Sequence, residues 1–319
     1  MSKKVYTIYI AIILVLVGTN TWWIYYSYNH NNAAEHFIQH VKDYPLLDPA
    51  LPLYEKNNLI VNIQELREYL KALPEQNKNW AEISIYFEVL NTGANVTVNS
   101  DLKIWPASLT KLPIAMIAMK KVEKGEWSLD KKTTVLHEDL ADLEDSPGLI
   151  ELEGQSYDLA FILERLLLES DNTAFMMLHR QFTEDELSSI NEEVGLDELF
   201  AADSKVSAKD YTRLLRSLYS ATYLNKSNSQ MILKLLDQSK FDEFVSAGFP
   251  DDLPFSHKWG ENRDQNVYVD SGIVYVENRP FIISVMIHSK NTDIVASKRK
   301  AIALMKDIGE RSYQFMNSK

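Results

Sequence analysis

Ala107-Ser108-Leu109-Thr110-Lys111-Leu112-Pro113 stands where one kind of sequence pattern gives way to another. Before it, Ile83, Ile85, Phe87 and Val89 alternate with other residues, Thr92-Gly93 marks a turn, and Val96 and Val98 resume the alternation. That pattern predicts two strands between Ala81 and Val98. After it, helical spacing begins at Leu109 and runs to Glu123. It returns from Leu159 to Glu169, Thr173 to Gln181, Ala208 to Ser220 and Ser229 to Gln238. Strand patterns come back at Val267 to Val269, Ile273 to Val276 and Phe281 to Ile287, and a last helix is expected from Ile294 to Phe315. Ile63, Leu66, Leu70 and Leu73 give a further helix ahead of the first strand. Strands at both ends with helices between them predict an α+β fold: one antiparallel sheet, built from both ends of the domain, packed against an inserted all-helical region.

Working outward to the N-terminus, Lys3 and Lys4 precede an uncharged run from Val5 to Tyr26 that ends in Trp22, Trp23, Tyr25 and Tyr26. A helix needs about 20 apolar residues to cross a bilayer. Aromatic residues favour the far interface, and lysines favour the cytoplasmic side. The expectation is a membrane anchor over 1–28, N-terminus inside, with the remainder extracytoplasmic; a cleaved signal peptide is the alternative. A polar, proline-bearing stalk over 29–58 and a single domain over 59–319 complete the expected organisation.

Composition narrows the chemistry. The 319 residues are 45% hydrophobic and 24% charged, the usual balance of a globular chain. A net charge of −12 argues against nucleic-acid binding, which calls for a basic stripe. With no cysteine, thiolate catalysis, disulfides and cysteine-ligated zinc are excluded. The seven histidines form no HExxH motif, and no metal or cofactor is expected.

Three short elements carry reactive groups, in this order: Ser108-Leu109-Thr110-Lys111, Ser170-Asp171-Asn172 and Lys258-Trp259-Gly260. The spacing S-x-x-K alone is common here, recurring at Ser100, Ser128 and Ser297, and a serine opening a helix is ordinarily a cap. What distinguishes Ser108 is its surroundings. Lys111 lies three residues on, on the same helical face, so its amine reaches the hydroxyl. A serine needs a base to become a nucleophile. A lysine becomes that base when burial and nearby positive charge, such as Lys258, lower its pKa.

The ordered set resembles the penicillin-recognising serine enzymes, in particular the class A β-lactamase-like group, whose elements are S-x-x-K, S-D-N and K-[ST]-G. The separations of 62 and 88 positions suit a helical domain inserted between two parts of a sheet, and Asp270-Ser271-Gly272 follows the third element as in that family. The resemblance covers Ala81 to Phe315. It implies Ser108 as the acylated nucleophile, Lys111 as its base and Ser170 as the proton relay to the leaving group. It further implies Asn172 as a substrate-holding amide, Lys258 as the cation steadying Ser170 and a substrate carboxylate, and the backbone N–H groups of Ser108 and Glu261 as the oxyanion hole. Trp259 and Gly260 belong to the expected substrate-binding strand. Asp171 is expected to tie down its loop.

Two departures stand out. Trp259 occupies the place of the hydroxyl that binds a substrate carboxylate in the family. The glutamate that activates the deacylating water is also missing from its usual setting; Glu192, Glu193, Glu198 and Asp203 lie in a stretch that reads as a shortened loop. The reading is a membrane-anchored serine hydrolase acting through a Ser108 acyl-enzyme on a β-lactam or a peptidoglycan stem peptide. The alternatives are an inactive binding or sensor domain, or an esterase with another acyl substrate.

Overall fold

The structure, a computed structural model, describes residues 18–22, 43, 46–47, 62–140, 153–197, 199–200 and 204–318. The chain divides into two units, one of residues 1–45 and 49–55 and the other of residues 46–48 and 56–319. All three reactive elements lie in the second unit. The expected anchor over 1–28 lies outside the described residues except for 18–22. Among the described residues no helix is long and apolar enough to cross a membrane.

Strand alternation organises the second unit. The five strands β1 (Ala81–Val89), β2 (Asn95–Val98), β5 (Phe255–Asn262), β6 (Val267–Val274) and β7 (Phe281–Ser289) form one antiparallel sheet in the order β2-β1-β7-β6-β5. The first strand in the chain therefore pairs with the last, Ile85 standing opposite Val285, and the sheet draws on both ends of the domain. Successive side chains point to opposite faces. Ile83, Ile85, Phe87 and Val89 join Ile283, Val285 and Ile287 on one face. There they pack on α1 (Gln64–Asn77) through Leu66, Leu70 and Leu73, and on the C-terminal helix α8 (Ile294–Asn317) through Ala301, Met305 and Ile308. Gly309 of α8 lies so close to the Val245 carbonyl that an added Cβ would sit 2.3 Å from that oxygen.

The insertion holds the helices α2 (Lys111–Glu123), α3 (Leu159–Leu168), α4 (Asn172–His179), α5 (Glu184–Val194), α6 (Ala208–Tyr219) and α7 (Lys226–Asp237), of which α6 and α7 pack on the sheet. Here β1 turns inward the polar residues that the alternation leaves over. Ser84 Oγ accepts from the Ala208 N–H at 3.2 Å, and Glu88 is paired with Arg216 of α6 while accepting from Tyr86 at 2.8 Å. Buried polar groups cost heavily unless bonded, and each of these is.

Several expectations are corrected in detail. The stretch read as a loop ahead of Ala208 contains the helix α5, opened by a Thr183–Glu186 capping box and closed at Gly195 with φ 70°. The C-terminal strand read as two fragments is one strand, β6, unbroken through Asp270-Ser271-Gly272. A two-stranded ribbon, β3 (Lys132–Thr134) with β4 (Ser156–Asp158), also joins the helical region. Within the segment read as stalk, Leu46 and Leu47 are buried, and the Leu46 carbonyl accepts from Tyr275 Oη at 3.0 Å.

Candidate active site

A short 3₁₀ turn, Ala107–Thr110, delivers the chain from the sheet side into α2. Ala107 enters it with φ 47°, a left-handed conformation that costs energy for a residue with a Cβ and that recurs at functional turns. The turn presses against β5, the edge strand of the sheet. A Cβ at Gly260 would lie 2.7 Å from the Ser108 nitrogen and 3.1 Å from the Ala107 Cβ. Only glycine allows that approach. α2 then runs almost wholly buried from Lys111 to Met119, so Lys111 is fixed by packing before any polar contact is counted.

The residue Lys111 is 2% exposed, and its amine is the hub. It lies 2.8 Å from Ser108 Oγ, 3.3 Å from Ser170 Oγ and 2.5 Å from Asn172 Oδ1. Ser170 comes from the break between α3 and α4. It adopts φ 56°, and Asp171 behind it caps α4 by accepting from the Ala174 N–H at 3.1 Å. Cap and left-handed residue together swing Ser170 and Asn172 to the same side, toward Lys111. The tethering role expected of Asp171 is the one it takes.

Burial pulls the Lys111 amine down to about 7, with the Asp171 carboxylate acting in the opposite direction. At neutral pH a large share of it is unprotonated and can accept a proton from Ser108. Lys258 on β5 is fully buried, and burial first, then the charge of Lys111, push its amine well below its ordinary value, against Asp270. Lys258 donates to the carbonyl of Trp259 at 3.1 Å.

Asp270 and His257 carry no settled role in the sequence. His257 Nδ1 and Asp270 Oδ1 are 2.8 Å apart, both groups buried, and Asp270 Oδ2 accepts from the Val245 N–H at 3.1 Å. This pair binds β5 to β6 and both to the 241–249 segment behind the lysine.

The structure therefore brings together Ser108, Lys111, Ser170 and Asn172, sets Gly260 against them, and places Lys258 within electrostatic reach of Lys111. At Trp259 and Glu261 it shows where the side chains go. Alternation along β5 starts the Trp259 side chain on the face opposite Lys258. Its ring stacks on Phe241 with centroids 3.8 Å apart and planes 10° apart, and Phe244 meets it edge-on at 6.5 Å. The Lys258 amine stands 5.1 Å from the centroid of the same ring. The Trp259 Nε1 is buried with no hydrogen-bond partner among the described residues. It does not extend an N–H into the site. Phe241 and Phe244 go unnoticed in the sequence, because nothing in their local pattern ties them to a strand beginning fourteen residues after Phe241. The Glu261 carboxylate accepts from Lys298 of α8 at 3.2 Å. Glu192 and Glu193 are exposed on the last turn of α5, whereas Glu198 and Asp203 lie outside the described residues.

An antiparallel sheet closed by its own two ends, an inserted helical region, and a serine–lysine pair at their junction define a penicillin-recognising serine hydrolase fold. The chain belongs to the β-lactamase enzyme family, whose model matches residues 65–316. Among solved structures, PBP-A is similar over 81% of this chain and 97% of its own, at 20% identity and a TM-score of 0.71. A mutant of PBP-A, solved as an acyl-enzyme complex with penicillin G, is similar at 20% identity and TM-score 0.69, covering 81% of this chain and 98% of that one. The β-lactamase of Sphaerobacter thermophilus is similar at 16% identity and TM-score 0.64, over 76% of this chain and 94% of its own. Comparison with curated protein sequences gives no match.

Proposed function

We propose that the protein is a serine acyl-transfer hydrolase working through a Ser108 acyl-enzyme, on a β-lactam or an amide or ester of cell-wall type. One observation carries this: a buried lysine amine, lowered to about 7, lies 2.8 Å from the Ser108 hydroxyl. As Ser108 Oγ bonds to the substrate carbonyl carbon, its proton passes to Lys111. The tetrahedral oxyanion is met by the backbone N–H groups of Ser108 and Glu261, donors of the kind worth about 10²–10³ in rate. On collapse the bond from the carbonyl carbon to the leaving nitrogen or oxygen breaks. The proton on Lys111 returns to that atom through Ser170, whose Oγ is 3.3 Å from the amine. Water then cleaves the ester on Ser108 and frees the acid. Asn172 holds the lysine in register and offers its amide to the substrate. Membrane anchoring through 1–28, with the domain outside the cell, is part of the same proposal and rests on the sequence.

A disused site would have no reason to keep Ser108, Lys111, Ser170, Asn172 and Lys258 together, which favours an enzyme over a sensor. The sequence lacks the family's deacylating glutamate in its usual setting, so the acyl-enzyme is expected to be long-lived. The test is an intact-mass time course of the full-length protein with benzylpenicillin, beside Ser108→Ala. The expected result is a slowly lost mass increase on the parent and none on the variant. Labelling of both to the same extent would sink the proposal.

A further inference from the structure

An acyl donor bound along the free edge of β5 must place whatever flanks its carbonyl beside residues 259–261, because Gly260 touches the Ser108 backbone there. An anionic flank would need a hydroxyl or a standing cation at that place, since a carboxylate stripped of water without a partner is strongly penalised. Neither is offered. At position 259 the side chain is an indole held by the stack on Phe241, and its Nε1 is enclosed. The Lys258 amine is fully buried, spends a donor on the Trp259 carbonyl at 3.1 Å, and has its charged form disfavoured by burial. Lys298 is paired with Glu261 at 3.0 Å and with Glu243 at 3.4 Å. Arg263 lies exposed on the turn beyond the strand. The Glu261 carboxylate on the strand is itself anionic and takes up the Lys298 charge.

From this geometry we infer that Trp259, fixed by Phe241 and Phe244, is a specificity-determining residue that selects acyl donors with an uncharged group beside the scissile carbonyl. The inference rests on the Ser108 acyl-enzyme proposed above and names the substrate class for it. Trp259 acts by what its anchored ring withholds: a hydroxyl cannot stand there, and the carbonyl of the same residue draws the lysine amine inward.

The test compares two donors that differ by one charge, benzylpenicillin and its methyl ester, with acylation of the full-length protein followed by intact mass. The parent should acylate with the ester at least about tenfold faster, the discrimination expected when one buried charge goes unpaired. Trp259→Thr should accelerate the free acid and narrow the ratio, while Trp259→Phe, which keeps the aromatic stack, should leave the ratio near that of the parent. The ratio in the parent needs no variant to fold. Equal rates, or a faster free acid, in the parent would overturn the selectivity and leave the Ser108 reading standing. Absence of an adduct with either donor would overturn both.

Discussion

Gly260→Ala isolates the contact that aligns the two halves of the site. The added Cβ would lie 2.7 Å from the Ser108 nitrogen, 3.1 Å from the Ala107 Cβ and 3.3 Å from the Ser108 Cα. Ordinary contact is about 3.5 Å, so β5 and the 107–110 turn must separate by roughly 0.8 Å. Neither side yields cheaply. The turn is pinned by buried α2, and β5 by its full ladder to β6. A misplacement of about 1 Å at reacting groups costs on the order of 10²-fold in rate, so acylation of Ser108 should fall by roughly ten- to a hundredfold. Overpacking should cost about 1–3 kcal/mol, seen as a fall of a few degrees in Tm. The assay pairs the acylation rate from intact mass with a thermal melt. A variant that acylates at the parental rate would refute the reasoning, whatever its Tm, because the strand would then not be setting the position of Ser108.

Three further outcomes are expected from the same geometry. Because the base must be unprotonated, and Lys111 is lowered to about 7, the acylation rate should rise through neutral pH, level off above it and fall about tenfold per unit well below it; a profile flat from pH 5 to 9 would remove Lys111 from the role. Asp171→Ala deletes the cap that accepts from Ala174 and should cost about 0.5–2 kcal/mol in a denaturant melt, with a larger loss of acylation as Ser170 leaves its left-handed conformation. Asp270→Ala strips the buried His257 and the Val245 N–H of their partner, and should destabilise by about 3–5 kcal/mol in the same assay; a change below about 1 kcal/mol would mean that water reaches the pair.

The parts legible in the sequence are those fixed by local pattern. The strand pair between Ala81 and Val98 shows because one face of β1 is wholly apolar, and Ser108 with Lys111 shows because residues three apart on a helix share a face. β5 is harder to see. In Phe255-Ser256-His257-Lys258-Trp259-Gly260 the face toward the site carries Ser256, Lys258 and Gly260, and the other interrupts Phe255 and Trp259 with the His257 of a buried His257–Asp270 pair. β6 reads as two pieces for the same reason: Asp270 and Ser271 are satisfied by partners 13 residues away on β5 and β7, which local spacing does not reveal. The helix α5 carries a signal that is easily passed over, Thr183 and Glu186 at capping-box spacing before Leu187 and Ile190. The stack of Trp259 on Phe241 is not readable at all, because no local spacing links the two residues.

The central claim is that Ser108 is the acylated residue, and one digest addresses it. The full-length protein is exposed to benzylpenicillin, quenched in acid and cleaved with trypsin, and the peptide from Ile104 to Lys111 is fragmented. It contains two hydroxyls, Ser108 and Thr110. Fragment ions that carry the penicilloyl mass on Ser108, with no modified peptide from Ser108→Ala, are the expected result. The mass on Thr110, on another peptide, or on the Ser108→Ala protein would contradict the account.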